Sequence, residues 1–171
     1  MNKKKFILFF SQGFGTGLSP IAPGTCGSFL GIAWFALLLG SGNIWFFFLL
    51  QLLGFVVSIH FCGKAEIILG KSDPSSVVLD EIVALPLCFT LPVCLYLYKH
   101  GVMPGINDFF APSAMWITAL GFSLFRFFDI FKPWPISASQ KLQGGLGITA
   151  DDLLAAVYTS LILGAFYKLW L

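Results

Sequence analysis

Phe125-Arg126-Phe127-Phe128-Asp129-Ile130-Phe131-Lys132-Pro133-Trp134-Pro135-Ile136, followed after a short polar loop by Gly144-Gly145-Leu146-Gly147-Ile148-Thr149-Ala150-Asp151-Asp152, is the stretch on which the reading of this chain turns. An arginine and an aspartate stand on the last turns of an apolar run, where charge is expensive. Two prolines then stop that helix, since each lacks an N–H and disfavours helical backbone in the residue before it. A glycine-rich turn follows, and a pair of carboxylates opens the next apolar run. Charges kept at the edge of a greasy segment mark a functional site by default, and the other charged segments are expected to converge on this one.

Composition explains why charge is expensive here. Of 171 residues, 57% are hydrophobic and 11% charged, and twenty are phenylalanine. Soluble domains carry about 25% charged residues, so in water this chain would expose far too much apolar surface. The expected class is all-α, a small polytopic membrane bundle of about four to five apolar helices (the spans marked off below). One membrane-embedded domain over residues 1–171 fits the length. Cys26, Cys62, Cys88 and Cys94 form no CxxC pair and no Cys/His ligand spacing, and read as small buried residues. Lys3-Lys4-Lys5 before Phe6–Phe10 has the look of a signal peptide's start. The apolar part is too short and no small-x-small site follows, so it reads as a retained amphipathic lead-in.

From that lead-in the chain alternates between polar and apolar segments. Residues 11–28 hold five glycines and two prolines and read as a loop. Phe29–Leu39 is apolar but short, Gly40-Ser41-Gly42-Asn43 is a turn, and Ile44–Cys62 is long enough to cross at about 20 residues per span. Residues 63–81 are polar. Ile82–Tyr98 is apolar, with Pro86 and Pro92 expected to bend it. Lys99–Pro112 is a loop, Ser113–Phe128 a fourth run and Leu153–Leu171 a fifth.

If 29–39 and 44–62 form a hairpin and the later runs alternate in direction, segments 11–28, 63–81 and 129–152 share one membrane face. Seven of the eight acids (Glu66, Asp73, Asp80, Glu81, Asp129, Asp151, Asp152) lie there, with Asp108 on the other face. Eight of the ten bases (Lys3, Lys4, Lys5, Lys64, Lys71, Arg126, Lys132, Lys141) join them, which makes this the cytoplasmic face by the positive-inside rule. Run 29–39 is the weak joint: half-buried or re-entrant, it would not return the chain, and the sidedness would fail.

Carboxylates at five separate places suit a hard divalent cation such as Mg²⁺, which takes oxygen ligands and usually one or two carboxylates plus substrate phosphate oxygens. Arg126, through its planar fork, and Lys132 supply positive charge for that phosphate. The loop 13–28 offers backbone N–H groups as an anion nest. It is no P-loop, because no Gly-Lys-Ser/Thr follows its glycines. Together these point to metal-assisted phosphoryl chemistry at the lipid–water boundary.

Simpler roles compete for several residues. Thr149-x-x-Asp152 fits a helix cap, Asp73-Pro74 fits an N-cap with proline after it, and Arg126 with Asp129 fits an i,i+3 pair. Adjacent acids on a helix diverge by roughly 100°, so Asp80 and Glu81 need not share one site. Glu66 reads as a solvated charge, His60 and His100 as isolated, and Trp134 with the phenylalanines as core or interfacial belt rather than a nucleic-acid platform. Other phosphatase chemistries lack their parts: no Cys is followed five residues on by Arg, and there is no Asp-x-Asp and no Gly-x-Ser-x-Gly elbow.

Gly15-Thr16-Gly17-Leu18-Ser19-Pro20 with Ala22–Ser28, Asp73-Pro74 through Asp80-Glu81, Phe125-Arg126 through Ile136, and Gly144-Gly145-x-Gly147-Ile148 before Asp151-Asp152 resemble the phosphatidylglycerophosphatase A family, in order through most of the chain. The resemblance implies a Mg²⁺-dependent, multi-pass phosphatase of the bacterial inner membrane. Its partners would be the bilayer and phosphatidylglycerophosphate, which it would convert to phosphatidylglycerol, with the site facing the cytoplasm; no nucleic acid is expected.

On that basis Asp80, Glu81, Asp129, Asp151 and Asp152 are the candidate catalytic residues, with Asp80, Glu81, Asp129 and Asp152 as metal ligands. Asp152 or Glu81 takes the proton of the attacking water. Arg126, Lys132, Ser19, Thr25 and Ser28 are the candidate phosphate-binding residues. The rival readings are another lipid-headgroup phosphatase or phosphotransferase, and a non-catalytic lipid- or ion-binding membrane module.

Overall fold

The computed structural model describes residues 2–170, all of them helix, turn or loop. The helices are α1 Lys3–Ser11, α2 Pro23–Gly40, α3 Ile44–Leu69, α4 Leu79–Ala84, α5 Thr90–His100, α6 Asn107–Phe110, α7 Met115–Phe131, α8 Ile136–Ser139 and α9 Gly144–Trp170, with 3₁₀ turns at Gly13–Leu18 and Leu85–Phe89. Leu171, the last residue expected in the fifth apolar run, lies outside the described residues.

Four segments are long and apolar enough to cross a membrane: Pro23–Gly40, Ile44–Leu69, Leu79–His100 and Gly144–Leu169. The first corrects the expectation for residues 29–39. Pro23 sits in the first helical turn, where its missing N–H has no partner to lose, so the helix begins six residues before Phe29. Its 18 residues rise about 27 Å at 1.5 Å each, close to the hydrocarbon thickness of about 30 Å. α3 also outruns its expected end at Cys62. Asn43 Oδ1 accepts from the N–H groups of Trp45 (2.8 Å) and Phe46 (3.3 Å) at its start. Gly70, at φ 63°, closes the other end with its N–H on Glu66 O.

Leu79–His100 is continuous from α4 through the 3₁₀ turn to α5. The helix tightens to 3₁₀ over Leu85–Phe89 around Pro86. Beyond it, in the first turn of α5, the Leu91 N–H donates to Ser160 Oγ of α9 at 3.1 Å, a neighbouring helix supplying a side-chain partner to main chain at a proline-bearing helix start. α7 runs three residues past Phe128 to Phe131, so Arg126 and Asp129 stand on one helical face. Lys132 then turns the chain at φ 43°.

The glycine-rich segment 144–152 is helix, not turn, and α9 begins nine residues earlier than its hydrophobicity suggests. A Cβ on Gly145 would collide with Ile59 O of α3 and meet Gly63 N at 2.7 Å. Glycine therefore lets α3 and α9 cross backbone against backbone, the small-residue contact that membrane helices use. Thr149 consequently lies inside α9, where its hydroxyl is 3.0 Å from Ser58 Oγ, and it caps nothing. Asp73-Pro74 caps nothing either, since α4 starts only at Leu79.

α9 is the central element, packed on α3, α5, α7 and the Leu85–Phe89 turn. The core holds Phe35, Phe89, Phe109, Leu163 and Tyr167, with Phe35 and Phe89 stacked 4.3 Å apart. Along α3 the residues Trp45, Phe46, Leu49, Leu52, Leu53 and Val56 are exposed. In water such a face is a patch needing a partner; in a bilayer it is the lipid surface. Of the cysteines only Cys62 and Cys88 are buried, and Cys26 and Cys94 are half-buried.

Candidate active site

The connectivity brings one end of every long helix together: the starts of α2, α4 and α9 and the ends of α3 and α7. A cavity of about 280 Å³ opens there, lined by Ala22, Pro23 and Gly24, by Asp73, Ser75 and Val77, and by Asp80, Glu81, Arg126, Asp129, Lys132, Ile148, Asp151 and Asp152. All three polar segments of the chain contribute to its wall.

The connector between α3 and α4 is pinned from the N-terminal side. The Val78 N–H donates to Ser11 O at 2.9 Å, and Gln12 Nε2 donates to Ser76 Oγ at 3.3 Å. The glycines of 13–28 make this packing possible. A Cβ on Gly17 would strike Ser76 O, one on Gly24 would strike the Glu81 carboxylate, and one on Gly27 would come within 2.7 Å of Val78 Cβ. Their visible work is to admit the start of α4 at close range, and only Ala22–Gly24 of that loop reaches the cavity.

Charge is arranged as a chain of pairs. Arg126 Nη1 lies 3.1 Å from Glu81 Oε1 and 2.8 Å from Asp129 Oδ2, and donates to Ser28 Oγ at 3.3 Å. Lys132 Nζ lies 3.9 Å from Asp129 Oδ1 and donates to Asp151 Oδ2, which also accepts from Gln140 Nε2 at 3.4 Å. The Arg126–Asp129 pair is thus more than local neutralisation, because it continues through Glu81 and Lys132 to α4 and α9. Burial weakens the Lys132 ammonium, but the hydrogen bond and charge of Asp151, with Asp129 and Asp152 behind it, outweigh that and hold its pKa above the usual lysine value.

Asp80 and Asp152 are buried, line the same cavity and, among the described residues, enter no ion pair. Asp80 Oδ1 accepts from the Glu81 N–H at 3.0 Å, and Asp151 Oδ1 from the Asp152 N–H at 3.1 Å. Both acids of each adjacent pair therefore reach one site. Asp73 and Ser75 belong to it too. The sequence placed Asp73 on the shared face but gave it a capping role rather than a place in the site, and offered nothing for Ser75.

Backbone strain gathers at the same place. Ala22, Asp73 and Lys132, at φ 47°, 44° and 43°, are three of the four described non-glycine residues in the left-handed region, and all three line the cavity. Such conformations persist where the surroundings enforce them, characteristically at functional sites.

Of the expected phosphate-binding hydroxyls, Ser28 is buried behind the cavity wall, with its Oγ 2.9 Å from Gly24 O and 3.3 Å from Glu81 Oε2. It steadies Glu81 and Arg126. Ser19 bonds locally to Ile21 O, and neither it nor Thr25 lines the cavity.

Six carboxylates face two bases here. Buried charge needs a partner, and an excess of carboxylate oxygens is the donor set of a hard divalent cation. In donor chemistry the residues fit such an ion. Among the described residues, however, no three His, Cys, Asp or Glu side chains converge closely enough to hold one as they stand. Arg126 and Lys132 instead occupy Glu81, Asp129 and Asp151.

A helical bundle with four segments suited to crossing a membrane, closed at one end over a buried, charged cavity, has the architecture of a polytopic membrane protein with a site at one end. The sequence profile of phosphatidylglycerophosphatase A matches residues 9–167. A Haemophilus influenzae phosphatidylglycerophosphatase A is 35% identical over 160 residues, covering 93% of this chain and 87% of its own length. Its Escherichia coli namesake is 33% identical over 154 residues, covering 88% and 77%. A Bacteroides thetaiotaomicron protein provisionally named a phosphatidylinositol-3-phosphatase is 33% identical over 168 residues, covering 95% of both chains. No solved structure matches the chain. The chain belongs to the phosphatidylglycerophosphatase A family, a family of phosphatases.

Proposed function

We propose that this protein removes the terminal phosphate of phosphatidylglycerophosphate, leaving phosphatidylglycerol, with Mg²⁺ at the cytoplasmic face of a bacterial inner membrane. The observation that carries the reading is the meeting of six carboxylates, Arg126 and Lys132 in one cavity at the end of a membrane-suited bundle, in a chain of this family. Sidedness is supported by the bases: Lys64, Lys71, Lys132 and Lys141 sit in or beside the connectors at the cavity end, which the positive-inside rule assigns to the cytoplasm.

Asp80, Glu81, Asp129 and Asp152 would hold the metal, with Asp80 and Asp152 free of bases from the outset. When bound, Mg²⁺ supplies Lewis acidity toward the phosphoryl oxygens and lowers the pKa of a water. Arg126 and Lys132 bind the anionic phosphate, exchanging carboxylate partners for its oxygens; Arg126 offers a fixed fork and Lys132 a mobile point charge. Asp152 or Glu81 accepts the proton of the attacking water. Ser28 and Gln140 hold Arg126 and Asp151 in place.

The Bacteroides relative favours a second reading, a phosphatase for another phosphorylated lipid headgroup. Phosphate release from defined phosphatidylglycerophosphate in detergent micelles, with Mg²⁺ or with chelator and with phosphatidic acid as competitor, tests both. Mg²⁺-dependent release that excess phosphatidic acid barely inhibits is expected. No release from this lipid would refute the first reading.

A further inference from the structure

Beside the acidic cavity lies a second, of about 640 Å³, enclosed by the end of α3, the connector to α4, the α8–α9 turn and the start of α9. The two share Asp73, Ile148 and Asp151 as a common wall. The acidic cavity, at about 280 Å³, falls just below the range of about 300–1,000 Å³ typical of small-molecule sites, and its neighbour falls within it. The first has room for a phosphoryl group and its immediate partners; a whole lipid headgroup needs both.

The chemistry of the second wall is different. Glu66 and Asp73 offer carboxylate acceptors, Ser72 a hydroxyl, Gln140 and Gln143 amides, and Lys141 a cation that enters no ion pair among the described residues. Hydroxyl groups of a ligand can donate to the acids and amides, and an anionic oxygen can meet Lys141. On its far side Leu142 also borders an apolar groove of about 250 Å³ between α3 and α9, lined by Phe55, Ile59, Leu146 and Leu153. Acidic cavity, polar cavity and apolar groove thus follow one another in the order of a phospholipid's terminal phosphate, polyol with its diester phosphate, and acyl chains.

Resting on the proposed phosphatase reading, we infer that the polar cavity is the subsite for the linker between the reacting phosphate and the lipid. Its carboxylates and amides take the polyol hydroxyls, and Lys141 takes the diester phosphate. It makes the enzyme select lipids that carry a hydroxylated, diester-linked spacer over those whose phosphate sits directly on diacylglycerol.

The test uses the full chain in mixed micelles and the variants Lys141→Ala, Gln143→Ala and their double. With phosphatidylglycerophosphate the double variant should raise KM by at least about thirtyfold, the loss of one charged and one neutral hydrogen bond, and each single variant less. Its kcat should stay within about twofold, and the inhibition constant of inorganic phosphate, which needs only the acidic cavity, should not move. An unchanged KM, or a phosphate inhibition constant that rises in step with KM, overturns the subsite. If the wild type cleaves phosphatidylinositol 3-phosphate and not phosphatidylglycerophosphate, the substrate reading falls while the same variants test the subsite on that lipid. Cleavage of neither overturns both.

Discussion

Asp129 bridges the two bases of the cavity, which makes Asp129→Asn the most informative substitution. The amide keeps the shape and one acceptor oxygen of the carboxylate but not its charge. The 2.8 Å pair with Arg126 is weakened to a neutral hydrogen bond, and attraction to Lys132 at 3.9 Å is lost. Breaking a fully buried pair costs about 3–5 kcal/mol because it strands a charge. Here nothing is stranded: Arg126 keeps Glu81 at 3.1 Å and Ser28 at 3.3 Å, Lys132 keeps Asp151, and the side chains of Arg126 and Asp129 are 16% and 12% exposed. Removing one of six crowded carboxylates also relieves repulsion. The expected loss of stability is therefore about 1 kcal/mol, the net worth of one hydrogen bond, and the protein should remain folded. Turnover should fall far more, by about 10²–10⁴-fold, the range for a group acting on the reacting atoms. Phosphate release and thermal unfolding, measured on the same detergent-purified sample, separate the two effects. A folded variant whose Mg²⁺-dependent kcat stays within tenfold of wild type would remove Asp129 from the mechanism; an unfolded one would refute the claim that Glu81 is counter-charge enough for Arg126, whose buried Nε already lacks a partner.

Gly145→Val drives two methyl groups toward Ile59 O and Gly63 N, where even a Cβ collides; it should destabilise by at least the 1–3 kcal/mol typical of overpacking, read as a lowered unfolding temperature. Ser19→Ala and Thr25→Ala lie outside the cavity and should each leave kcat/KM within about twofold, whereas a tenfold loss in either would restore it to the phosphate-binding set. Lys132 has its folded pKa raised, so the stability of its pair with Asp151 is fully present below the unfolded lysine value of about 10.4 and is lost as pH rises through the elevated folded value. Thermal unfolding of wild type and Lys132→Met should accordingly differ at pH 8 and converge above that elevated value; a difference that persists there would refute the pairing.

Much of this site was legible in the sequence because the bilayer forbids most alternatives. Apolar runs of fixed minimum length must cross or lie flat, and their charged connectors must collect at the ends. Counting crossings therefore assigned Asp80, Glu81, Asp129, Asp151 and Asp152 to one end of the bundle without any knowledge of packing. Helix boundaries were less legible: α2 and α9 both begin within glycine-bearing segments that local propensity marks as loop. Gly24, Gly27 and Gly145 serve close approach to Glu81, Val78 and α3, a tertiary benefit that no local pattern reveals.

The sequence by itself determined the class and the set of acids and bases that share an end, since both follow from hydropathy and chain order; it left the count of apolar helices at four to five, and of its five runs four meet the length and hydropathy of a span while α7, at 17 residues, does not. Only the tertiary structure decided which acids are paired and which stand free. Glu81 and Arg126 are 45 residues apart, Lys132 and Asp151 are 19, and whether such groups touch depends on how far α4 and α9 slide past α7. Close approach at Gly24, Gly27 and Gly145 fixes where α4 and α9 sit against α2 and α3, and with it whether their acids meet the bases of α7.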